Sequence, residues 1–437
     1  MREGILVGNE REGGAQALAR PMAESVRKAA TAAPLHVVHV LMSLDIGGME
    51  HGVLNLLERL DRTQFRQTLV CLADVHPRIA PRLEKAGVAW HALHKDPWKR
   101  DPAVLVRLWK LLRQLRPDIV HSRNYPTIEV PIVARLACRT RTLHGEHGRR
   151  FDEIGGLARR ARFWRRLARR FTDHHVALGD HLRRSLITEV GVDPRRITVL
   201  YNGVNCRRFR PAHDKEERSA ARLALLRAAG IGEEAARRIA SQRLLIGSSG
   251  RLDPVKNYRG LLAAVALLPA EWRSRLQLVL IGDGPERPLI ERDAHDLGLA
   301  GKVALTGFVA DPAPLYRGLD LFLLPSLFEG LSNSLLEAMA SGVAIVASEV
   351  GGTPELVSPG VSAELVPAGD APSLAAAIAD LLGDPARRAM LAGHARREAE
   401  RRFSLEAMCA GYAALYQRLA EGSLADRGGF APSAGGS

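Results

Sequence analysis

Short apolar segments alternate with longer segments of helical periodicity along most of the chain. In its first half, residues 36–42, 68–72, 118–121, 142–144, 175–178 and 197–200 are predicted strands. A second series of predicted strands follows at 244–250, 276–281, 303–306, 319–324 and 343–348. Helical patterns such as residues 102–115 lie between them, which indicates βαβ crossovers and parallel sheets. The pattern predicts two doubly wound α/β domains in tandem.

The two series of strands also set the expected domain boundaries. We expect residues 34–210 to form the first domain and residues 211–404 the second, with a linker at the start of a charged helical stretch. Residues 1–33 and 422–437 have no clear period and are rich in small residues. We therefore expect both ends to be mobile.

Composition narrows the class of protein. A chain of 437 residues with 46% apolar residues can bury two cores of ordinary size. The four cysteines are scattered without metal or disulfide spacing, which is typical of a reduced cytosolic protein. No apolar run reaches the roughly 18 to 20 residues that span a bilayer, and the N-terminus lacks a secretory apolar core. We therefore expect neither export nor integration into a membrane.

The formal net charge of +14 indicates an anionic partner. Nucleic acid, an anionic membrane surface and phosphorylated substrates are all compatible with it. Arginine and alanine are abundant throughout the chain, so part of the excess charge carries no functional information.

Two glutamates lie eight positions apart around a predicted helix start. Residues 319–325 read as a buried strand, and the next turn should open a helix at the carboxyl end of that strand. Ligands of open α/β sheets bind at this edge, where free N–H groups favour a phosphate. Glu329 can accept hydrogen bonds from the hydroxyls of a transferred sugar, and Glu337 can accept them from those of a ribose. Acidic residues are also common at helix starts without any ligand. The candidate ligand-binding residues of the turn are Gly330, Leu331, Ser332 and Asn333.

A basic loop follows the predicted strand at residues 244–250. Arg251 and Lys256 lie in it, and a guanidinium fork with a flexible ammonium can neutralise a diphosphate. Either cation alone would be an ordinary solvated residue. The two cations lie together at one strand end, in the same half of the chain as the two glutamates. This combination indicates a diphosphate site.

These motifs resemble a known family. The chain is similar, over roughly residues 35–420, to the retaining glycosyltransferases of family 4, which have the two-domain GT-B fold. The residues that carry the resemblance are Gly47-Gly48-Met49-Glu50, Gly250-Arg251 with Lys256, Gly282-Asp283-Gly284-Pro285, and Glu329 with Glu337. Residues 144–148, 201–204 and 329–333 most resemble the sugar transferases of exosortase (PEP-CTERM) exopolysaccharide loci. Many family members have Gly-Phe-Gly-Leu after the first glutamate, where this chain has Gly-Leu-Ser-Asn.

The resemblance implies transfer of a sugar from a nucleoside-diphosphate sugar to a saccharide or lipid-linked saccharide. The first domain would bind the acceptor, the second the nucleotide sugar, and a final helix at 405–421 would pack back on the first domain. Acceptor attack would come from the face that the diphosphate leaves, with Glu329 orienting the sugar. Further donor contacts implied by the resemblance are Gly47, Gly48, Gly282, Asp283, Gly284, Phe308 and Val309.

His144 ends a predicted strand. The resemblance makes it the histidine that contacts the donor sugar, whereas a lone histidine at this place is more often structural. Glu146 and His147 are weaker candidates, and their spacing with His144 fits no zinc pattern. The chain lacks Asp-x-Asp, so we expect no metal and no other cofactor. Arg251, Lys256 and the helix terminus would then stabilise the leaving diphosphate.

An arginine-rich segment at residues 149–170 contains nine arginines and an apolar stripe at helical spacing. Such a helix can lie in a membrane interface, pack its stripe on the first domain, or bind nucleic acid. We predict membrane or acceptor contact, on the inner leaflet of the cytoplasmic membrane and without nucleic acid. The residues chosen for this contact are Arg149, Arg159, Arg160, Trp164, Arg165 and Arg166.

Three other functions fit parts of the sequence. A nicotinamide oxidoreductase would use Gly282-x-Gly284, but the complete dinucleotide fingerprint is absent. A basic nucleic-acid-binding protein is suggested only by the charge, since no reading module accompanies it. A sugar-nucleotide epimerase of the same fold would consume its donor without an acceptor.

Overall fold

The computed structural model describes residues 33–44, 48–96, 99, 101–148 and 157–422. These residues form two lobes, each built on one parallel sheet. The N-lobe sheet has the order β3-β2-β1-β4-β5-β6-β7, and the C-lobe sheet has the order β10-β9-β8-β11-β12-β13. The strands are Leu35–Leu41 (β1), Phe65–Cys71 (β2), Ala89–Ala92 (β3), Ile119–Arg123 (β4), Arg141–Glu146 (β5), His174–Ala177 (β6), Ile197–Val199 (β7), Leu244–Ser249 (β8), Leu276–Ile281 (β9), Val303–Leu305 (β10), Leu321–Leu324 (β11), Ala344–Ser348 (β12) and Glu364–Val366 (β13).

Helices connect the strands and cover the sheets. The α-helices are Gly48–Arg59 (α1), Ala80–Lys85 (α2), Ala103–Leu115 (α3), Val130–Ala137 (α4), Arg159–Ala168 (α5), Asp180–Ser185 (α6), Lys215–Ala228 (α7), Glu233–Gln242 (α8), Tyr258–Leu267 (α9), Ala270–Arg275 (α10), Arg287–Asp296 (α11), Ala313–Tyr316 (α12), Asn333–Ala340 (α13), Thr353–Leu356 (α14), Ala371–Gly383 (α15), Pro385–Arg402 (α16) and Leu405–Ala420 (α17). Short 3-10 turns lie at Tyr125–Thr127, Pro194–Arg196 and Pro254–Lys256, and a π-turn lies at Leu186–Val190.

The central strands are buried on both faces. All residues of β9 and of β11 are buried, and their sequences are almost entirely apolar. This is the pattern of parallel strands covered by helices on both sides. The structure confirms the predicted pair of doubly wound α/β units.

The strand order reverses at one point in each sheet. In the N-lobe β1 pairs with both β2 and β4, and in the C-lobe β8 pairs with both β9 and β11. Ligands of such sheets bind beyond the carboxyl ends of the strands at the point of reversal. The loops that follow β8 and β11 therefore border the expected ligand site of the C-lobe.

The last helix, α17, packs on the N-lobe although it follows the C-lobe in the chain. Its residues share a buried cluster with Val37 and Leu56 of the N-lobe. The hydroxyl of Tyr416 also lies 2.8 Å from Nδ1 of His121 on β4. The chain therefore crosses twice between the lobes.

The strands β3 and β13 were not predicted from the sequence. Both are short edge strands with partly exposed residues, so neither has a continuous apolar run.

The proposed domain boundaries stay a prediction. The two ends of the chain that were expected to be mobile fall outside the described residues, except for residues 33 and 422. Within the part of the chain that the structure describes, no helix is both long enough and apolar enough to cross a bilayer.

Candidate active site

Lys256 and Glu329 form an ion pair at the carboxyl ends of two neighbouring strands. Lys256 lies in the loop after β8, and Glu329 lies in the loop after β11. Nζ of Lys256 is 2.6 Å from Oε1 of Glu329, and Oγ of Ser326 donates to the same oxygen at 2.7 Å. Glu329 is buried, and charge-assisted bonds from two sides hold its carboxylate in place. The structure thus brings together two residues that were predicted to be catalytic.

Helix α13 begins beside this ion pair. Ser332 is its N-cap residue, and Oγ of Ser332 accepts a hydrogen bond from the backbone N–H of Leu335 at 3.4 Å. Asn333 is the first residue of the helix, and its Oδ1 accepts from Nδ2 of Asn202 at 3.0 Å. Gly330 and Leu331 connect Glu329 to this helix start. The positive end of the helix and the ion pair therefore share one edge of the sheet, which suits an anionic ligand.

Glu337 lies on the second turn of α13 and contacts a buried tyrosine. The hydroxyl of Tyr316 donates to Oε2 of Glu337 at 2.9 Å. Burial raises the pKa of Glu337 to about 7, although the hydrogen bond from Tyr316 acts in the opposite direction. The carboxyl group therefore titrates near neutral pH. Contact between Glu337 and a ribose stays a prediction.

Arg251 lies in the same loop as Lys256 but points into solvent. Its side chain is 73% exposed, and Nε lies 3.3 Å from Oδ2 of Asp253. Within the described residues, no ion pair or hydrogen bond joins Arg251 to Glu329. The structure therefore places Arg251 at the correct edge of the sheet without bringing it to the ion pair.

The glycines of Gly282-Asp283-Gly284 are explained by packing between two loops. A Cβ on Gly282 would lie 2.0 Å from the carbonyl oxygen of Gly250, and one on Gly284 would lie 2.6 Å from the backbone of Leu252. The N–H of Leu252 donates to the carbonyl of Asp283 at 2.9 Å. The loops after β8 and β9 thus pack backbone to backbone. Nucleotide contact by these residues stays a prediction.

Phe308 and Val309 follow β10 at the same edge. Gly307 pairs with Gly282 in an isolated bridge, so the two loops are adjacent. Phe308 is 61% exposed, which leaves its ring open to solvent or to a ligand. The role of these residues as readers of a base stays a prediction.

His144 is buried near the end of β5. Its Nδ1 lies 2.8 Å from Oγ of Ser122, and its Nε2 lies 3.8 Å from Oε1 of Glu146, beyond hydrogen-bond length. Nε2 has no hydrogen-bond partner among the described residues. The Ser122 contact and the burial fit a structural histidine as well as a ligand contact, so the predicted sugar contact of His144 stays a prediction.

Arg165 is not part of an exposed basic face, which corrects the prediction for this residue. Only 4% of Arg165 is exposed, and its Nε donates to Oε1 of Glu146 at 2.8 Å. Its guanidinium also lies over the ring of Tyr125, 4.8 Å from the centroid. Burial acts to raise the pKa of Glu146, but attraction to His144 and Arg165 outweighs it and lowers that pKa to about 2. The helical spacing predicted that Arg165 lies beside the apolar stripe. It could not show that the buried carboxylate of Glu146, on another element, faces Arg165.

The rest of the arginine-rich helix has two distinct faces. Leu157, Ala161 and Ala168 of the predicted stripe are buried, so the stripe packs on the N-lobe. Trp164 is half-buried. The exposed residues of the helix are Arg159, Arg160, Phe163 and Arg166, and Arg170 just after the helix is exposed as well. Arg149 and Gly47 lie outside the described residues, and Gly48 is the first residue of α1.

The two lobes meet beside Glu329. A Cβ on Gly330 would lie 3.6 Å from Cα of Gly148 and 3.6 Å from the carbonyl oxygen of His147. The loop after β5 in the N-lobe therefore contacts the loop after β11 in the C-lobe. The Lys256–Glu329 pair consequently lies at the edge of the cleft between the lobes.

Several residues of this region were missed from the sequence. Ser326 fixes Glu329, and Asn202 reaches Asn333 from the other lobe. Glu355 accepts hydrogen bonds from the N-lobe backbone at Asp180. Ser326 lies three residues before Glu329, where a serine can have many other roles. Asn202 lies in the segment 201–204, but its partner Asn333 is 131 positions away in the other lobe, so the sequence did not show their contact. Glu355 follows the pair Gly351-Gly352, and such a pair is a usable signal of close backbone approach.

Among the described residues, no group of three or more His, Cys, Asp or Glu side chains is arranged to hold a metal ion. His144, Glu146 and His147 therefore do not form such a group, and the expectation that no metal is needed stays a prediction. Lys256 and the start of α13 contribute positive charge beside Glu329, and Arg251 lies at the same edge of the sheet.

Comparisons with known proteins identify the family and the fold. Residues 243–384 match the family described as "Glycosyl transferases group 1", and residues 46–208 match "Glycosyltransferase Family 4". The structure of HepE from Anabaena, solved in complex with UDP, superimposes with a TM-score of 0.74 at 21% identity. That comparison covers 88% of this chain and 100% of HepE, and it confirms the GT-B fold.

Two curated relatives are similar along most of their length. The UDP-Gal:α-D-GlcNAc-diphosphoundecaprenol α-1,3-galactosyltransferase of Escherichia coli is 27% identical over 335 residues, which cover 75% of this chain and 82% of that protein. The D-inositol 3-phosphate glycosyltransferase of Geodermatophilus obscurus is 33% identical over 321 residues, which cover 70% of this chain and 67% of the relative. Because the family models match both lobes and a relative of 33% identity aligns over 70% of this chain, the chain belongs to glycosyltransferase family 4.

Proposed function

We propose that this glycosyltransferase transfers a sugar, with retention of configuration, from a nucleoside-diphosphate sugar to a hydroxyl of a saccharide or polyprenyl-diphosphate-linked saccharide. The Lys256–Glu329 pair beside the start of α13 carries this proposal. A cation and a helix N-terminus can bind a diphosphate, and a fixed carboxylate can accept hydrogen bonds from sugar hydroxyls.

The positive charge of the protein stabilises the leaving diphosphate. Lys256 and the N–H groups at the start of α13 lie at the cleft edge, and Arg251 lies on the same loop as Lys256 with an exposed guanidinium beside Asp253. Stabilising the charge that develops on a leaving group is often the largest single contribution to catalysis. We propose that these groups make a metal ion unnecessary.

The reaction balances without a protein nucleophile. The acceptor hydroxyl attacks the anomeric carbon from the face that the diphosphate leaves, and the bond between that carbon and the diphosphate oxygen breaks. A phosphate oxygen takes the hydroxyl proton, so the products are the glycoside and the protonated nucleoside diphosphate. Glu329 holds the sugar in place during this exchange and does not act as the base.

The names of related proteins suggest the donor and the acceptor. HepE was solved with UDP, and the E. coli relative is named for a UDP-galactose donor and a diphosphoundecaprenol-linked acceptor. We therefore propose UDP as the first nucleotide to test and a lipid-linked saccharide bound by the N-lobe as acceptor. Synthesis of exopolysaccharide or another cell-surface glycan, at an exosortase-associated locus, is the pathway we propose.

We also propose that the protein is cytoplasmic and binds the inner leaflet of the membrane through α5. The exposed face of this helix presents Arg159, Arg160 and Arg166 around Phe163, which is 61% exposed. Guanidinium groups bind anionic headgroups, and an exposed ring can enter the acyl boundary. An anionic membrane surface and a nucleotide sugar are anionic partners that suit the positive net charge of the protein. We therefore propose no nucleic-acid partner.

A thermal-shift panel of UDP-, GDP- and ADP-sugars tests the donor. Selective stabilisation by one nucleotide is expected, because a ligand that binds only the native state raises the melting temperature. Lys256→Ala should then lower transfer by about 10²-fold or more, because it removes a contact to the leaving group. Lys302→Ala is the matched control, since Nζ of Lys302 donates to the carbonyl of Ser274 in the same lobe.

Near-normal turnover of Lys256→Ala would remove this residue from the mechanism. Product analysis with and without lipid-linked saccharide separates transfer from epimerisation, because an epimerase consumes its donor without an acceptor. NADH binding seen by spectral titration, without binding of any nucleotide sugar, would favour an oxidoreductase instead.

A further inference from the structure

Glu355 of the C-lobe caps a helix of the N-lobe. Its Oε2 accepts from the backbone N–H of Asp180 at 2.5 Å, and its Oε1 accepts from the backbone N–H of His181 at 2.8 Å. Nδ1 of His181 lies 2.8 Å from Oε1, and the hydroxyl of Tyr201 lies 3.3 Å from Oε2. The N-cap residue of this helix, Gly179, has no side chain to do the same. The missing cap of α6 is therefore supplied across the lobe interface.

The same short segment touches the loop that carries Glu329. The N–H of Gly352 donates to the carbonyl of Gly330 at 3.0 Å. Gly351 has a φ of +52°, and a Cβ there would lie 1.7 Å from the carbonyl oxygen of Glu329. Only glycine fits such a contact, so the segment before Glu355 and the Glu329 loop form one packed unit.

The Glu329 loop is thus held from two sides. The N-lobe residues His147 and Gly148 lie against Gly330, and Gly352 lies against its other side. Glu355, three residues after Gly352, is bonded to the N-lobe. A change in the distance between the lobes at Glu355 should therefore shift the Glu329 loop, which holds the donor sugar in the proposed function.

We propose that Glu355 is a positioning residue that couples closure of the two lobes to the placement of Glu329. Through its bonds to the N-terminus of α6, it holds the lobes at the separation at which Glu329 meets the sugar. It makes no contact with the reacting atoms. The inference rests on the proposed function, because it takes the Glu329 loop as the donor-sugar site.

The charge state of Glu355 supports this role. Burial acts to raise its pKa, but the bonds from His181 and from the backbone N–H groups outweigh burial and lower that pKa to about 2. The carboxylate is therefore ionised at physiological pH. Bonds from N–H groups to an ionised carboxylate are about twice as strong as neutral ones.

Glu355→Gln tests the coupling with almost no change in shape. It removes the charge and leaves one oxygen for two N–H donors. Asp370→Asn is the matched control, because Asp370 caps α15 within the C-lobe by accepting from the N–H of Ser373 at 3.0 Å. Gly179→Ala approaches the contact from the other lobe, since a Cβ there would lie 2.9 Å from Oε2 of Glu355.

Three measurements are needed on the full-length variants. Hydrogen exchange of the peptide around residues 179–183 reports the interlobe bonds directly. UDP affinity, measured by calorimetry, reports binding of the nucleotide separately from turnover. Turnover is measured as release of UDP from the nucleotide sugar that the thermal-shift panel selects. Either the saccharide acceptor or water serves as the second substrate.

For Glu355→Gln we expect faster exchange at residues 179–183, UDP affinity within about threefold of wild type, and kcat at least tenfold lower, since small misplacement of a reacting group is costly. Gly179→Ala should show the same split, and the double variant should be no worse than the single ones. Asp370→Asn should keep the wild-type kcat, because it changes a cap that does not cross between the lobes.

Wild-type kcat in Glu355→Gln, or an equal loss of kcat in Asp370→Asn, would overturn the inference. If Glu355→Gln does not fold, Gly179→Ala decides by the same criteria. If the wild-type protein binds neither UDP nor any other nucleoside diphosphate, the proposed function fails and the inference with it. If wild type binds UDP and Glu355→Gln turns over normally, only the inference fails.

Discussion

At the scale of single residues, Glu337 gives the clearest dependence on pH. Its pKa is raised to about 7 in the folded protein, mainly by burial. Between the ordinary carboxyl pKa and about 7, the folded state therefore binds more protons than the unfolded state. The contribution of Glu337 to stability is complete below the unfolded pKa and is lost as the pH rises through the folded one.

Glu337→Gln should remove this contribution to the pH dependence. We expect the wild-type free energy of unfolding to fall between about pH 4.5 and pH 7 relative to the variant, and the difference to be constant above pH 7. Urea unfolding at a series of pH values measures it. Glu291→Gln, at an exposed carboxylate of the same lobe, is the control. Parallel pH profiles of wild type and Glu337→Gln would contradict the assignment.

The sequence identified the charged residues of the site but not their partners. Lys256 and Glu329 were both predicted from their positions after strands, and the structure pairs them at 2.6 Å. Ser326 could not be predicted, because a serine three residues before a glutamate has many other roles. Arg251 was expected beside Lys256, yet a local partner, Asp253, holds its side chain instead. Strand ends are visible in a sequence, whereas side-chain directions within a loop are not.

At the scale of elements, α5 shows how far a helical pattern can be read. The period correctly predicted that one side of the helix is apolar, and Ala161 and Ala168 are buried. It could not show that Arg165, at the border of that side, meets Glu146 from β5. Edge strands were missed for a related reason, because β3 and β13 are too short and too exposed for a period to appear.

Arg165 and Arg166 are adjacent, but truncation should cost much more stability at Arg165 than at Arg166. Arg165→Ala leaves Glu146 charged in a buried site, so we expect a loss of roughly 3 to 5 kcal/mol in the free energy of unfolding. Arg166 is exposed and bonds only to the carbonyl of Glu189 in the described residues, so Arg166→Ala should cost less than about 1 kcal/mol. Denaturant unfolding of both variants measures the difference, and equal losses would refute the buried pair.

Helix α17 offers a second matched pair. The hydroxyl of Tyr416 bonds to buried His121, whereas the hydroxyl of Tyr412 makes no hydrogen bond to the described residues. Tyr416→Phe should therefore cost about 1 to 3 kcal/mol, because it leaves a buried nitrogen without a partner. Tyr412→Phe should be close to neutral. Similar stabilities of the two variants would show that this bond does not hold the helix on the N-lobe.

At the scale of the whole molecule, the two strand-order reversals and the lobe interface define the cleft. Lys256, Glu329 and the start of α13 belong to the C-lobe, and His147 and Gly148 meet them from the N-lobe. The two-domain plan was readable from the alternation of strands and helices. The contacts between lobes were not, because they join residues far apart in the sequence: Asn202 and Asn333 are 131 positions apart, and Tyr201 and Glu355 are 154 positions apart.

The exposed face of α5 determines how the whole molecule would meet a membrane. Arg159, Arg160 and Arg166 are exposed, whereas Arg165 is buried, so a charge-reversal variant must leave Arg165 unchanged. Each arginine near an anionic surface contributes about 1 kcal/mol. Reversing all three should therefore lower partitioning by at least about 10²-fold. Flotation with vesicles that contain phosphatidylserine measures it, and neutral vesicles should bind weakly in every case.

The control for that experiment keeps the same change of net charge at a distant place. Arg273, Arg275 and Arg292 are exposed on the C-lobe, and their reversal should lower flotation far less than reversal on α5. Phe163→Ser separates the apolar contribution, and it should weaken binding without changing its dependence on salt. If both triple variants float equally, net charge alone attracts the protein. If neither differs from wild type, α5 is not the membrane contact, and the lipid-linked acceptor must reach the cleft by another surface.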